Sequence, residues 1–131
     1  MTLKETTAIA LVALVTAALA VRAEAPLSYA KDVEPVLLKA CDDCHGASNP
    51  KKGLDLSKGN GYANLLQRKS QEEPLVQLVK AGDPGSSYLW LKLTHATKEG
   101  RGMPRTTFSA KKLPQAELDL VRGWIEQGAQ P

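Results

Sequence analysis

Apolar residues recur every three or four positions in two segments of the chain, as they do in amphipathic helices. The first segment carries Tyr29, Val33, Val36, Leu37 and Ala40. Because proline is tolerated in the first turn of a helix, Pro35 places the start of the regular helix near Asp32, and we expect this helix to run into Cys41. The second segment predicts a helix over residues 115–127, ended by Gly128, and its apolar residues are Leu118, Val121, Trp124 and Ile125.

Three shorter helices are predicted between these two, over residues 62–68, 74–81 and 87–94. Gly82 and the turn Asp83-Pro84-Gly85 end the second of them. Apolar residues alternate in the third as they would in a strand, but no other segment is available to pair with it. Polar, glycine-rich loops fill residues 46–61 and 95–107. The pattern therefore predicts an all-α fold.

The composition is that of a small domain with few large rings for its core. The chain has 131 residues, of which 43% are hydrophobic and only 5% aromatic. This length allows one domain, and a buried prosthetic group could supply the missing apolar mass. The net charge is +3, and the basic residues are scattered among acidic ones without a dense basic and aromatic patch. We therefore expect no nucleic-acid binding.

An uncharged apolar run occupies residues 8–21 and follows Lys4. The run has about 14 residues, fewer than the about 20 that a membrane-spanning helix needs. We therefore expect residues 1–23 to be a secretory signal peptide, cleaved within residues 20–25 and preferably after Ala23, and residues 24–131 to be the exported domain. The expected location is the periplasm or another exported compartment, with a membrane tether only if the segment stays uncleaved.

The chemistry of the chain is concentrated in Cys41-Asp42-Asp43-Cys44-His45. In this pattern two thiols add to the two vinyl groups of haem, and the adjacent histidine binds the iron. On a helical turn two side chains three positions apart point the same way, which suits two bonds to one edge of a porphyrin. The motif predicts one covalently attached haem c, held by Cys41 and Cys44, with His45 as an axial ligand.

Three other interpretations of the two cysteines stay open. A redox-active CxxC pair is expected in a strand–turn–helix setting, for which the sequence offers no convincing strand. A structural zinc site needs four ligands, and only His45 and His95 remain beside the cysteines. A disulfide between Cys41 and Cys44 would close too small a loop to restrict the unfolded chain much. The pattern favours haem attachment over all three.

Met103 is the best candidate for the sixth position of the iron. It is the only methionine left after removal of the signal peptide, and it lies between Gly102 and Pro104, which restrict the direction of the loop. A thioether opposite histidine favours ferrous iron and raises the redox potential. A methionine that fills a gap in the core is the structural alternative. His95 is the rival ligand and would give bis-histidine coordination.

These features resemble the class I cytochromes c, and in particular the planctomycete-type cytochrome c domain. The likeness covers about residues 29–129 and rests on Val33-Glu34-Pro35-Val36-Leu37, Cys41-Asp42-Asp43-Cys44-His45-Gly46, Gly53-Leu54-Asp55-Leu56, Gly82-Asp83-Pro84, Met103-Pro104 and the closing helix. The resemblance implies N- and C-terminal helices that cross beside the haem, His45 and Met103 as axial ligands, and electron transfer as the activity. Domains of this family are often parts of much larger proteins.

The expected function is that of a monohaem c-type cytochrome, a monomer without enzymatic activity that passes single electrons between redox proteins. A dehydrogenase, an oxidase or a membrane complex would be its partner. The alternative is a haem-based sensor of small ligands or a peroxidase-like enzyme, either of which needs a labile sixth ligand. Beyond the haem ligands, the sequence offers no acid–base constellation that would favour an enzyme.

If residues 1–23 are a signal peptide, the exported protein begins at or near Glu24. N-terminal sequencing, or the intact mass of the purified protein, measures this directly. A membrane-bound form that retains residues 1–21 would contradict cleavage and favour a tethered protein.

Overall fold

A computed structural model describes residues 24–131, so the predicted signal peptide lies outside the described residues. Four α-helices occupy this part of the chain: α1 (Glu34–His45), α2 (Gly61–Gln67), α3 (Tyr88–Leu93) and α4 (Gln115–Glu126). A π-helical turn (Tyr29–Val33) precedes α1, and 3₁₀ turns occupy Lys51–Gly53 and Pro84–Ser86. Residues 24–131 contain isolated β-bridges but no strand, so the all-α prediction is confirmed. None of the described helices is long and apolar enough to cross a membrane.

The first helical segment begins with a reciprocal cap. The Ser28 Oγ accepts the backbone N–H of Lys31 at 3.2 Å, and the N–H of Ser28 donates to the Asp32 carboxylate at 2.8 Å. Pro35 lies in the first turn of α1, where the missing N–H of a proline is tolerated. The helix does not stop at Cys41 but continues to His45. The whole CxxCH motif is therefore held on the last turns of a regular helix.

The C-terminal helix buries the apolar stripe that the sequence predicts, because Leu118, Val121, Trp124 and Ile125 are all buried in α4. Beyond the helix, the Trp124 indole N–H donates to the carbonyl of Gln130 at 2.7 Å. The N–H of Tyr29 donates to that same carbonyl at 2.9 Å. These bonds join the two ends of the described chain.

The aromatic side chains meet at this junction. The ring of Tyr29 lies 5.5 Å from the ring of Trp124 and 5.6 Å from that of Tyr62, measured between centroids, and both pairs are tilted. Tyr29 is only 2% exposed, and its hydroxyl has no hydrogen-bond partner. A Cβ built on Gly61 would lie 2.0 Å from that hydroxyl oxygen, so α2 can approach the ring only because residue 61 is glycine.

The predicted helix over residues 74–81 is wrong. This segment forms turns and isolated bridges, and its backbone groups bond to other segments instead of to each other. The N–H of Leu78 donates to the carbonyl of Arg68, and the N–H of Val79 donates to the carbonyl of Leu65. Leu78 and Val79 are buried, whereas Leu75 is 92% exposed. The burial of these two adjacent residues and their hydrogen bonds to other segments outweigh the local helical periodicity.

Gly61→Ala is expected to destabilise the protein by about 1–3 kcal/mol, because the added methyl group displaces the buried Tyr29 ring. Tyr29→Phe alone is expected to be nearly neutral, since it removes a hydroxyl that has no partner. The double variant should recover part of the loss, because the closest clash is with that hydroxyl. Urea unfolding of the three variants gives the coupling between the two positions.

Gly85→Ala is the matched control, because a Cβ there makes ordinary contact at 3.6 Å and the residue lies in an open turn. Equal losses for Gly61→Ala with and without the Tyr29 hydroxyl would contradict the close approach of α2 to this ring.

Candidate functional site

An open cavity of about 990 Å³ lies beside the C-terminal end of α1. This volume is at the upper end of the range of about 300–1,000 Å³ that ligand pockets occupy. Its wall contains Cys41, Cys44 and His45 from α1, together with Met103 from the loop after α3. The fold thus brings the four residues selected from the sequence to one cavity. Leucines supply most of the apolar wall: Leu54, Leu56, Leu65, Leu78, Leu89, Leu93 and Leu113.

The His45 ring is oriented by the loop that follows α1. Its Nδ1 lies 3.1 Å from the carbonyl oxygen of Leu54, and a carbonyl can only accept, so Nδ1 carries the proton and Nε2 keeps its lone pair. The N–H of Leu56 donates to the carbonyl of His45 at 2.6 Å and fixes the same loop. Burial lowers the pKa of His45, which favours the neutral ring. A neutral imidazole whose Nδ1–H donates to a carbonyl is the usual form of a metal-binding histidine.

The two cysteines are free thiols, and both are partly buried. Burial, reinforced by the neighbouring Cys44, raises the pKa of the Cys41 thiol to about 11. A thiol that serves in disulfide exchange has a lowered pKa and forms the reactive thiolate near neutral pH. The environment of Cys41 has the opposite effect. The burial of Cys41 therefore disfavours the interpretation of this pair as a redox dithiol.

Met103 is held by backbone hydrogen bonds on either side of it. Its N–H donates to the carbonyl of Lys92 in α3 at 2.9 Å. The N–H of Lys111 donates to the carbonyl of Pro104 at 3.1 Å and closes the turn that follows. Met103 is thus placed on the cavity wall by a loop with fixed ends, and the structure does not bury it in the leucine core as a gap filler.

His95 does not contribute to the cavity wall. Its Nε2 lies 3.2 Å from the carbonyl oxygen of Met103, so this nitrogen donates to the loop that carries Met103. The ring packs directly against Gly102, where an added Cβ would lie 2.2 Å from the imidazole. The sequence indicates His95 only as a candidate metal ligand, and its contact with the Met103 loop could not be foreseen from its position in the sequence.

Basic residues that are scattered along the sequence gather around the cavity. Three acidic residues line it, namely Asp43, Glu72 and Glu117. The basic residues on the wall are Lys39, Lys51, Lys52, Arg68, Lys69, Lys92, Arg105, Lys111 and Lys112. This excess of positive charge favours an anionic ligand or an acidic partner at the mouth of the cavity.

The donor set of the cavity fits a haem. The thiols of Cys41 and Cys44 lie on the helix that also carries His45, whose Nδ1 faces the Leu54 carbonyl, and Met103 supplies a thioether from the loop after α3. The leucine wall suits the apolar porphyrin, and the basic residues suit its carboxylates. No group of three or more His, Cys, Asp or Glu side chains that could hold a metal ion is found within residues 24–131. These residues thus lack the four-ligand site that structural zinc requires.

Comparison with solved structures shows a similarity of fold. A chain of hydrazine synthase from Kuenenia stuttgartiensis matches with a TM-score of 0.54 and 22% sequence identity. The match covers 79% of this chain and only 16% of that chain. No family model matches the sequence, and a search of curated proteins finds no significant match. An identity this low shows a shared fold and carries no assignment of function.

Proposed function

We propose that the protein is an exported monohaem c-type cytochrome, related to the class I cytochromes c, that passes single electrons between other redox proteins. The observation that carries this proposal is the single cavity that joins the CxxCH end of α1 to the loop of Met103. Taken by itself, neither the CxxCH motif nor the methionine is specific for electron transfer. Their meeting in one leucine-lined cavity is what a low-reorganisation haem carrier requires.

Each residue has a defined task in this proposal. Cys41 and Cys44 would hold the haem through thioether bonds, and His45 would bind its iron, while the Leu54 carbonyl fixes the His45 ring through Nδ1. Met103 would supply the second protein ligand, a thioether, which would favour ferrous iron. When bound, the haem supplies a one-electron iron couple. The protein supplies the ligands, an apolar wall that restricts water, and the surrounding charge.

The charge around the cavity supports a protein partner with an acidic face. Basic residues outnumber acidic ones on the wall, and complementary charge accelerates the encounter of two proteins. A dehydrogenase, an oxidase or a membrane complex with such a face would exchange electrons with this protein. We propose no enzymatic activity, because a bound haem accounts for the cavity and its donor set. A sensor or peroxidase-like enzyme, with a sixth ligand that detaches, is the competing function.

Covalent attachment is tested by acid–acetone extraction of the purified protein. The haem should stay with the protein, because thioether bonds survive conditions that break axial ligation. Replacing both Cys41 and Cys44 by Ala should release it. The matched control is Lys80→Leu, a surface substitution away from the cavity, which should retain the haem. Free extraction of haem from the unmodified protein would contradict c-type attachment.

Met103→Ala is expected to abolish the weak near-infrared band of sulfur-ligated ferric haem, lower the midpoint potential and open the iron to carbon monoxide. The physical reason is the loss of the thioether that stabilises ferrous iron and blocks the sixth position. Absorption spectroscopy, redox titration and carbon monoxide binding measure the three effects. If the unmodified protein already binds carbon monoxide rapidly, the sensor or enzyme function replaces the carrier.

A further inference from the structure

Helix α3 and the residues just after it contact all five residues of the loop 99–103, which ends in Met103. The contacts come from Tyr88, Lys92 and His95, which are spaced by four and then three positions. Tyr88 and Lys92, four positions apart, lie on one face of α3, and His95 follows two residues after the helix ends. We call these three residues the α3 clamp.

Lys92 makes the central contacts of the α3 clamp. Its backbone carbonyl accepts the N–H of Met103 at 2.9 Å, and its ammonium group donates to the carbonyl of Arg101 at 3.0 Å. The same ammonium group pairs with the carboxylate of Glu72 at 2.5 Å. The Lys92 side chain is only 9% exposed, so this charge depends on its partners for solvation.

Glu72 and Tyr88 hold the Lys92 ammonium group in place. The Tyr88 hydroxyl donates to the Glu72 carboxylate at 2.5 Å and lies 3.2 Å from the carbonyl oxygen of Glu99. The Ser70 hydroxyl accepts the N–H of Glu72 at 3.0 Å and so fixes the turn that presents the carboxylate. Hydrogen bonds from Lys92 and then Tyr88 lower the pKa of Glu72. The Glu72 carboxylate is therefore ionised and pairs with the Lys92 ammonium group.

Two glycines allow the loop to lie directly on these groups. Gly100 has φ +72°, and a Cβ there would lie 2.6 Å from the Lys92 ammonium nitrogen and 2.5 Å from a Glu72 oxygen. At Gly102 a Cβ would enter the ring of His95. No side chain separates the loop backbone from the α3 clamp at either position.

His95 closes the contact next to Met103. It has φ +60°, an uncommon left-handed conformation for a residue with a side chain. This conformation turns the chain just after α3, and the ring donates to the Met103 carbonyl from Nε2. Met103 therefore has its N–H bound by Lys92 and its carbonyl bound by His95, which restricts the backbone from which its sulfur projects.

We infer that the α3 clamp holds the Met103 thioether at the iron, and that Lys92 and His95 are positioning residues for the sixth ligand. The inference rests on the proposed function, since it concerns the retention of that ligand. A loop already ordered by the protein loses little conformational entropy when its sulfur binds. The bond between the Met103 sulfur and the iron is therefore favoured. A loosened loop would leave the iron open to small ligands. The clamp thus decides between a carrier and a sensor.

Two variants weaken the clamp at different points. Lys92→Leu removes the donor to Arg101 and leaves Glu72 bonded to Tyr88 and 31% exposed, so no buried charge is stranded. His95→Asn removes the ring, while asparagine tolerates the left-handed backbone. Lys80→Leu is the matched control, because it breaks the surface pair with Asp83 at 3.1 Å and lies outside the cavity.

Both clamp variants should keep their covalent haem, lose intensity in the near-infrared sulfur band and have a lower midpoint potential than the control. Carbon monoxide should bind the ferrous form about fivefold to tenfold faster, the factor that corresponds to the loss of one hydrogen bond of about 1–1.4 kcal/mol. Hydrogen exchange of the Met103 amide should accelerate by a similar factor, and this readout reports the opening of the loop backbone instead of the absorption of the haem.

An unchanged band, potential and carbon monoxide rate in His95→Asn and Lys92→Leu would overturn the inference. If Lys92→Leu fails to accumulate as folded holoprotein, His95→Asn decides alone. Absence of the sulfur band from the unmodified protein, together with slow exchange of the Met103 amide, would overturn Met103 as the ligand. If only the inference about the α3 clamp is wrong, the unmodified protein and both variants all show the sulfur band. The two failures can therefore be told apart.

Discussion

The packing of Tyr29 between Trp124 and Tyr62 is the contact on which the rest of the molecule depends. It joins the first helical turn to α4 and α2, and the adjoining hydrogen bonds to the Gln130 carbonyl fix both ends of the described chain. Val33 and Leu37 are fully buried on the same side, so α1 has one orientation relative to the core. Because the CxxCH motif occupies the far end of α1, this distant aromatic contact determines where the cysteines and the histidine lie.

The cavity is completed by α3, a helix of six residues that serves two purposes. Tyr88 and Leu93 are buried in the core, which anchors the helix, while Lys92 and the following His95 contact the Met103 loop. Stability of the core and placement of the candidate ligand are thus coupled through one short element. In the proposed carrier, this coupling gives the sixth ligand the rigidity of the fold, although the ligand itself lies on a loop.

Charge is organised at the level of the fold. Along the sequence the lysines and arginines are interspersed with acids, and the net charge of +3 is modest. Around the cavity they become neighbours, because α1, the loop after it, residues 68–72 and the loop before α4 all turn towards the same opening. One lysine is separated from this exposed group, since Lys92 is buried and neutralised by Glu72. Charge at the mouth can attract a partner, while charge in the wall stabilises a loop.

The sequence by itself determined the two terminal helices, the all-α class and the candidate haem motif, because helical periodicity and the Cys41 to His45 spacing are local properties. It could not determine the form of residues 74–81, whose backbone partners lie in distant segments. The tertiary structure also decided the surroundings of Met103. Tyr88, Lys92 and His95 have helical spacing in the sequence, but their common target is a loop whose path depends on Glu72 and two glycines. Local patterns specify which elements form, whereas hydrogen bonds and burial between distant segments specify what those elements hold.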